Sequence, residues 1–181
     1  MEKIDIQAIQ SDADLIFSTH QISVAIDAMA LQVDEQIDNE PAIIICVMNG
    51  GLMLMSDLMR KLESELRMDY LQVARYRDQT VGGSLHWHKE PQLSLQDQVV
   101  VLVDDIYDEG YTLEEVVSYC KRKGAKKVIT AVLLLKQKES RNVTMRPDIY
   151  GLEVVDRYVF GYGMDYKGAL RNLPAIYAIK D

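Results

Sequence analysis

The sequence predicts an α/β protein with a mainly parallel central sheet flanked by helices, and three stretches carry that prediction. Ala42 to Met48, opened by Pro41, is a β-branched run that is apolar on both alternating faces, as a strand covered on both sides requires. Val99 to Val103 is a second such run. It is followed by a polar, glycine-containing segment from Asp104 to Thr112, and then by Leu113, Val116, Val117 and Cys120 on one helical face. Lys127 to Leu135 supplies a third apolar run, so strand, helix and strand form a βαβ unit whose crossover is expected to be right-handed.

The remaining elements follow in order. From Ser11 to about Val33, Leu15, Ile22, Ile26, Met29 and Val33 recur at the spacing of an amphipathic helix, with Ser11 or Asp12 placed to cap its start. Asn49-Gly50-Gly51 breaks the first strand, and Leu52, Met55, Met59 and Leu62 continue at helical spacing. Gly124 closes the helix of the βαβ unit. Short strands are expected around Glu153 to Val155, at Val159 to Phe160 and from Ala175 to Ile179. The polar stretch between Tyr76 and Pro91, which contains Gly82-Gly83, has no clear period. Within it His86-Trp87-His88 reads as one exposed face of a hairpin, because no third metal ligand lies nearby.

Composition narrows the function. A chain of 181 residues, 48% hydrophobic and 27% charged, can bury one substantial core, and a single domain over residues 1–181 is expected. Cys46 and Cys120 both fall inside apolar patterns, which suits buried thiols in a reducing, cytoplasmic compartment. The longest apolar stretch, Ala42 to Met48, is too short to cross a bilayer, and no targeting or membrane segment is visible. A net charge of −8 and a pI near 4.9 disfavour nucleic-acid binding, which rests on cationic neutralisation of phosphates. An anionic ligand must then be held locally, by backbone amides, a few placed cations or a divalent metal.

In open α/β sheets ligands bind beyond the carboxyl ends of the strands, which points to the turns after Met48 and Val103. The second turn crowds Asp104, Asp105, Asp108 and Glu109 together ahead of Gly110-Tyr111-Thr112. Their repulsion calls for a cationic or hydroxyl-rich partner, and a sugar diol with a magnesium ion is both. The helix that follows offers free amides to a phosphate, Gly110 allows close backbone approach, and Thr112 offers a hydroxyl. Taken alone, Thr112 and Glu115 also fit an ordinary capping box.

The whole string from Val99 to Thr112 resembles the PRPP-binding motif of the type I phosphoribosyltransferases, an apolar strand followed by two acids, two apolar residues and D-T-G-x-T. Response-regulator receiver domains also set an acidic pair after a strand, but near the N-terminus and with an aspartate ending a later strand. Here Asp104 lies past mid-chain and the next long strand ends in Lys136. Three further segments, in family order, resemble the hypoxanthine-guanine (6-oxopurine) members. They are Met48-Asn49-Gly50-Gly51, Ala131 to Lys136, and Tyr158 to Tyr166 followed by Arg171-Asn172-Leu173-Pro174. Read singly, Asn49-Gly50 also fits a plain turn, Lys136 a solvated strand end, and Asp165 with Arg171 a surface pair.

The resemblance implies a sheet capped by a small hood built from the N- and C-terminal segments. It also implies transfer of the 5-phosphoribosyl group of PRPP to hypoxanthine or guanine, with Mg2+ as cofactor and a homodimer or homotetramer as assembly. By family role Asp104, Asp105, Asp108, Glu109, Gly110, Tyr111, Thr112, Asn49, Gly50 and Arg171 surround PRPP, and the first peptide of the Asn49 loop is often cis. Lys136, Tyr158, Val159 and Asp165 hold the purine, Asp104, Asp105 and Asp165 the magnesium, and Asp108 handles the purine N7 proton. A loop around Tyr76 to Gly83 is expected to close over the site. Glu109 replaces the family's threonine, Tyr111 a basic or small residue, Asn49 a cation of the pyrophosphate loop, and Arg75 the serine of the mobile loop. Glu109 must therefore point away from the phosphate, or leave it to amides and Thr112. The alternative is a catalytically weak sensor of PRPP or nucleotides on the same fold.

Overall fold

The computed structural model describes residue 9 and residues 12–75, 85–138, 140 and 143–180. In chain order the elements are β1 (Ala13–Phe17), α1 (Thr19–Ile37), β2 (Ala42–Met48), α2 (Leu52–Met59), β3 (Leu66–Arg75), β4 (Leu85–Lys89), β5 (Val99–Tyr107), α3 (Tyr111–Arg122), β6 (Lys127–Gln137), β7 (Ile149–Val155), β8 (Val159–Phe160) and β9 (Ile176–Ile179). The main sheet has the order β4-β3-β2-β5-β6-β7. It is parallel except for β4, which pairs antiparallel with β3 at the edge.

Alternation along β2 and β5 produces three layers. Ala42, Ile44, Cys46, Val99, Val101 and Val103 pack with Ile22, Ile26, Met29 and Val33 of α1 and with Leu54, Met55 and Leu58 of α2. Ile43, Ile45, Val47, Val100 and Leu102 face the other way, against Leu113, Val116, Val117 and Cys120 of α3. Both faces of these strands are therefore dry, which explains the unbroken apolar runs. A buried valine, leucine or isoleucine contributes roughly 1.5–3 kcal/mol through burial, so these two clusters dominate cohesion. Both cysteines are buried and free, as their apolar settings predicted.

The N-terminal prediction needs correction. Residues 13–17 form a strand instead of the start of a helix, and α1 begins at Thr19 and runs one turn further, to Ile37. Ser18 is the N-cap: its hydroxyl accepts from the Gln21 N–H, and the Gln21 side chain accepts from the Ser18 N–H, a closed capping box. Leu15, assigned by spacing to the buried stripe, is 57% exposed on β1. Of the two suggested caps, Asp12 precedes a strand instead of a helix, and Ser11 lies outside the described residues. The strand instead pairs antiparallel with β9, which pairs in turn with β8. N- and C-terminal segments thus form a second, three-stranded sheet, the expected hood.

Two other differences matter. β5 extends past Val103 through Asp104 and Asp105 to Tyr107, with Asp104 paired to Val132 and Tyr107 to Leu135 of β6. The acidic pair is thus held on a strand ladder instead of in a turn. β3, which sequence periodicity missed, buries Asp69 and exposes Met68 and Tyr70, because the Asp69 carboxylate accepts from the N–H groups of Tyr70, Gln92 and Leu93. His86 and His88 are exposed on β4 while Trp87 packs on Tyr119, in keeping with one outward face. The stretch Tyr76 to Gly83, expected to cover the site, lies outside the described residues.

Removing the capping box tests the corrected helix start. Ser18→Ala should destabilise the protein by about 1 kcal/mol and lower Tm by about 2–4 °C in a thermal melt. Asp12→Ala, at an exposed position ahead of β1, should leave Tm nearly unchanged.

Candidate active site

The site grows from the carboxyl ends of the parallel strands. β5 delivers Asp104 and Asp105 side by side: Asp104 Oδ1 accepts from the Asp105 N–H at 2.9 Å, and Asp105 Oδ1 from the Ile106 N–H at 2.8 Å. Burial, and for Asp104 also the charge of Asp105, pushes both carboxyls above the usual carboxylate range, while Arg171 offsets part of the effect at Asp105. Burial and the same two acids also push the Cys46 thiol beneath them up to about 12, which keeps it protonated and inert.

Beyond the pair, the chain turns through Asp108, Glu109 and Gly110 into α3. Gly110 is the N-cap, at φ 88°, and a Cβ there would stand 2.4 Å from the Tyr107 hydroxyl, so both conformation and space call for glycine. The capping box proposed for Thr112 and Glu115 does not form: α3 has no side-chain cap, and Glu115 pairs with Arg122 at 2.9 Å. The helix therefore starts without a capping side chain, and Gly110 and Thr112 at its start line a cavity.

Two other segments close around the pair. The Met48–Asn49 peptide is cis, as the resemblance implied, and it leads into Gly50. A Cβ on Gly50 would lie 1.9 Å from the Asp105 carboxylate, and one on Gly163 2.2 Å from the Gly50 carbonyl. The loop after β2, the end of β5 and the turn after β8 thus touch with no room for side chains between them. On that turn Arg171 donates to Asp165 Oδ1 at 2.6 Å and to the Gly163 carbonyl at 2.5 Å. The Gly168 N–H donates to Asp165 Oδ2 at 2.8 Å, and the Tyr158 hydroxyl donates to the Asp165 carbonyl at 3.0 Å.

Two adjoining cavities result. The larger, of about 630 Å³, is lined by Asp104, Asp105, Asp108, Glu109, Gly110, Thr112 and Asp165 among others. The smaller, of about 180 Å³, is lined by Asp105, Asp108, Lys136, Tyr158, Val159 and Asp165, together with Ile106 and Met164. All four residues assigned to the purine share the second cavity, and Asp105, Asp108 and Asp165 line both. Arg171 stands beside the lining through its partner Asp165, whereas Asn49 and Gly50 line neither cavity, although Gly50 lies directly against the Asp105 carboxylate. Tyr111, the first residue of α3, is partly exposed and lines neither cavity.

Lys138 was missed by sequence reasoning. It lies just past β6, two residues after Lys136 and hence on the same side of the strand. Its ammonium pairs with Asp108 at 2.8 Å and with Glu109, while Lys136 meets Asp108 at 3.3 Å and Asp156 at 3.2 Å. Burial pushes the Asp108 carboxyl up, but the hydrogen bond from Lys138 and the charges of both lysines outweigh it and hold the group below the usual range. Glu109 does turn aside, toward Lys138.

Among the described residues no three histidine, cysteine or acidic side chains converge into a closed metal cage. Asp165 is held by Arg171 and the Gly168 amide, so Asp104, Asp105 and Asp165 border one cavity without meeting at a point. Two adjacent carboxylates held above their ordinary range suit a hard divalent cation, and magnesium commonly takes only one or two carboxylates, completing its shell with substrate oxygens and water.

Comparison with known proteins places this arrangement. The family described as "Phosphoribosyl transferase domain" matches residues 12–167. Hypoxanthine-guanine phosphoribosyltransferase of Aquifex aeolicus (strain VF5) is 30% identical over 169 residues, covering 92% of this chain and 94% of the relative. The enzyme of the same name from Bacillus subtilis (strain 168) is 30% identical over 167 residues, 92% of each chain. A solved hypoxanthine-guanine phosphoribosyltransferase from Bacillus anthracis has a TM-score of 0.88 at 27% identity, covering 92% of this chain and 98% of that one. With the match spanning hood, sheet and acidic strand end alike, the chain belongs to the phosphoribosyl transferase family.

Proposed function

We propose that this protein is a purine salvage enzyme that transfers the 5-phosphoribosyl group of PRPP to hypoxanthine or guanine, releasing pyrophosphate and the nucleoside monophosphate. The observation that carries the reading is the position of Asp108, which lines both cavities, beside the acidic strand end on one side and Lys136 and Tyr158 on the other. A ribose at that junction would meet a base in the smaller cavity. A sensor would need binding alone, and nothing about two joined cavities with a shared carboxylate favours that alternative.

Each residue then has a defined task. The amides of the first turn of α3 and the Thr112 hydroxyl receive the 5′-phosphate. Asp104 and Asp105 accept from the ribose hydroxyls and, with Asp165 nearby, border the position suited to magnesium. Bound there, magnesium would screen the pyrophosphate charge and stabilise it as a leaving group. Arg171 and the amides around Asn49 and Gly50 face the same leaving oxygens. As the bond from C1′ to pyrophosphate breaks, the ribose gains positive charge, which the adjacent carboxylates favour electrostatically. The purine N9 then bonds to C1′, and the N7 proton passes to Asp108. With its carboxyl held low, Asp108 is ionised at neutral pH and acts as the acceptor. Lys136 donates to the 6-oxo group, and the exposed Tyr158 ring flanks the base plane.

A spectrophotometric assay with PRPP, magnesium and hypoxanthine, guanine, xanthine or adenine in turn should register turnover with the 6-oxopurines and little with adenine; no turnover with any base would reject the reading. Asp108→Asn should lower kcat by roughly 10²–10⁴-fold and leave the KM for PRPP nearly unchanged. The acidic pair makes a separate prediction for the ligand-free protein. Because folding raises these carboxyl pKa values, the native state binds more protons than the unfolded one, and stability falls as pH rises through the raised values. Asp104→Asn should therefore raise Tm at pH 8 by about 2–4 °C, an advantage that fades below about pH 3, where the carboxyl is protonated in the unfolded state as well. Equal melting temperatures at both pH values would contradict it.

A further inference from the structure

Glu109 presents a difficulty that Lys138 resolves. Glu109 lines the larger cavity one residue before the N-cap of α3, where its carboxylate, left unpaired, would compete with any phosphate for the same positive helix end. At this point three carboxylates, those of Asp108, Glu109 and Asp156, face two ammonium groups, those of Lys136 and Lys138. Lys136 reaches Asp108 and Asp156, whereas Lys138 alone reaches Glu109 among the ion pairs of the described residues. Lys138 also meets Asp108 at 2.8 Å and Asp156 at 3.7 Å.

The Lys138 side chain is only 14% exposed. Such burial of an ammonium is tolerated when it is paired, and hydrogen bonds to Asp108 and Glu109 hold it firmly in its charged form. The pairing ties two consecutive turn residues to the end of a rigid central strand. It draws the Glu109 carboxylate toward β6 and away from the amides of α3.

We propose that Lys138 is a positioning residue for substrate binding: by pairing with Glu109 it neutralises and turns aside a carboxylate that would otherwise repel the 5′-phosphate at the start of α3. The inference rests on the reading of the Asp108 to Thr112 turn as a phosphate cradle. It adds that this chain's acidic cradle works only as a unit with a lysine from the neighbouring strand.

Steady-state kinetics with PRPP, magnesium and hypoxanthine test it. Lys138→Gln should raise the KM for PRPP by about tenfold, with a smaller change in kcat, because an uncompensated charge now faces the phosphate. Lys138→Arg should stay within about threefold of wild type, since it keeps the charge. The decisive variant is the double substitution Lys138→Gln with Glu109→Gln, which should recover most of the lost PRPP affinity. Loss of packing alone would not be repaired by removing the carboxylate. An unchanged KM in Lys138→Gln, or a double variant no better than the single, overturns the proposal. Should Lys138→Gln fail to fold, Glu109→Gln is compared with the double variant: KM values within about threefold are expected, and a tenfold gap overturns the proposal. Wild-type protein that turns over no base would instead defeat the phosphoribosyl transfer reading itself.

Discussion

Two adjacent carboxylates at the half-buried carboxyl end of a central strand set the main constraint on this molecule. Asp104 and Asp105 sit on the β5 ladder, each capping the next backbone amide, in a place where burial opposes ionisation of both and the charge of Asp105 adds to it at Asp104. A fold concerned with stability alone would place apolar residues there, as it does at Val99 to Val103 just before. The cost is reduced by Arg171 from across the cavity and would be relieved further by a divalent cation and sugar hydroxyls. The same arrangement that weakens the free protein thus prepares it for a cationic, hydroxyl-rich ligand.

The rest of the structure keeps that pair in position and gives it neighbours. Dry packing on both faces of β2 and β5 makes the strand ends rigid. Glycines at positions 50 and 163 let two further loops approach until backbone meets carboxylate. The hood sheet, built from both ends of the chain, carries Tyr158 and Val159 over the smaller cavity and leads into the turn that holds Asp165 and Arg171. On the opposite side two lysines from the end of β6 hold the Asp108–Glu109 turn. Each contact joins segments remote in sequence.

What the sequence made legible follows from the same physics. Strands covered on both sides read as continuous apolar runs, so β2 and β6 were visible, as was the helical face of α3. The acidic end of β5 was not visible as strand, because Asp104 and Asp105 interrupt the apolar run although the ladder to β6 continues beneath them. β3 escaped notice because its pattern is inverted, with Asp69 inside on backbone amides and Met68 outside. The helix assigned from Ser11 absorbed β1 because Leu15 happens to lie seven residues before Ile22. The S-x-x-Q capping signal at Ser18 was the better marker. Candidate site residues were mostly legible, since carboxylates and glycines at strand ends have few structural reasons to cluster. Lys138 was not, because a strand-end lysine is ordinarily solvated; the two-residue period from Lys136 was the available clue.

The central claim is that the paired carboxylates and the first turn of α3 together hold a metal-bound sugar phosphate. Isothermal titration of the protein with PRPP, once with magnesium and once with EDTA, tests this most directly. Saturable binding approaching one PRPP per chain that requires magnesium is the expected result. No heat of binding with magnesium present, or binding that EDTA leaves unchanged, would contradict it.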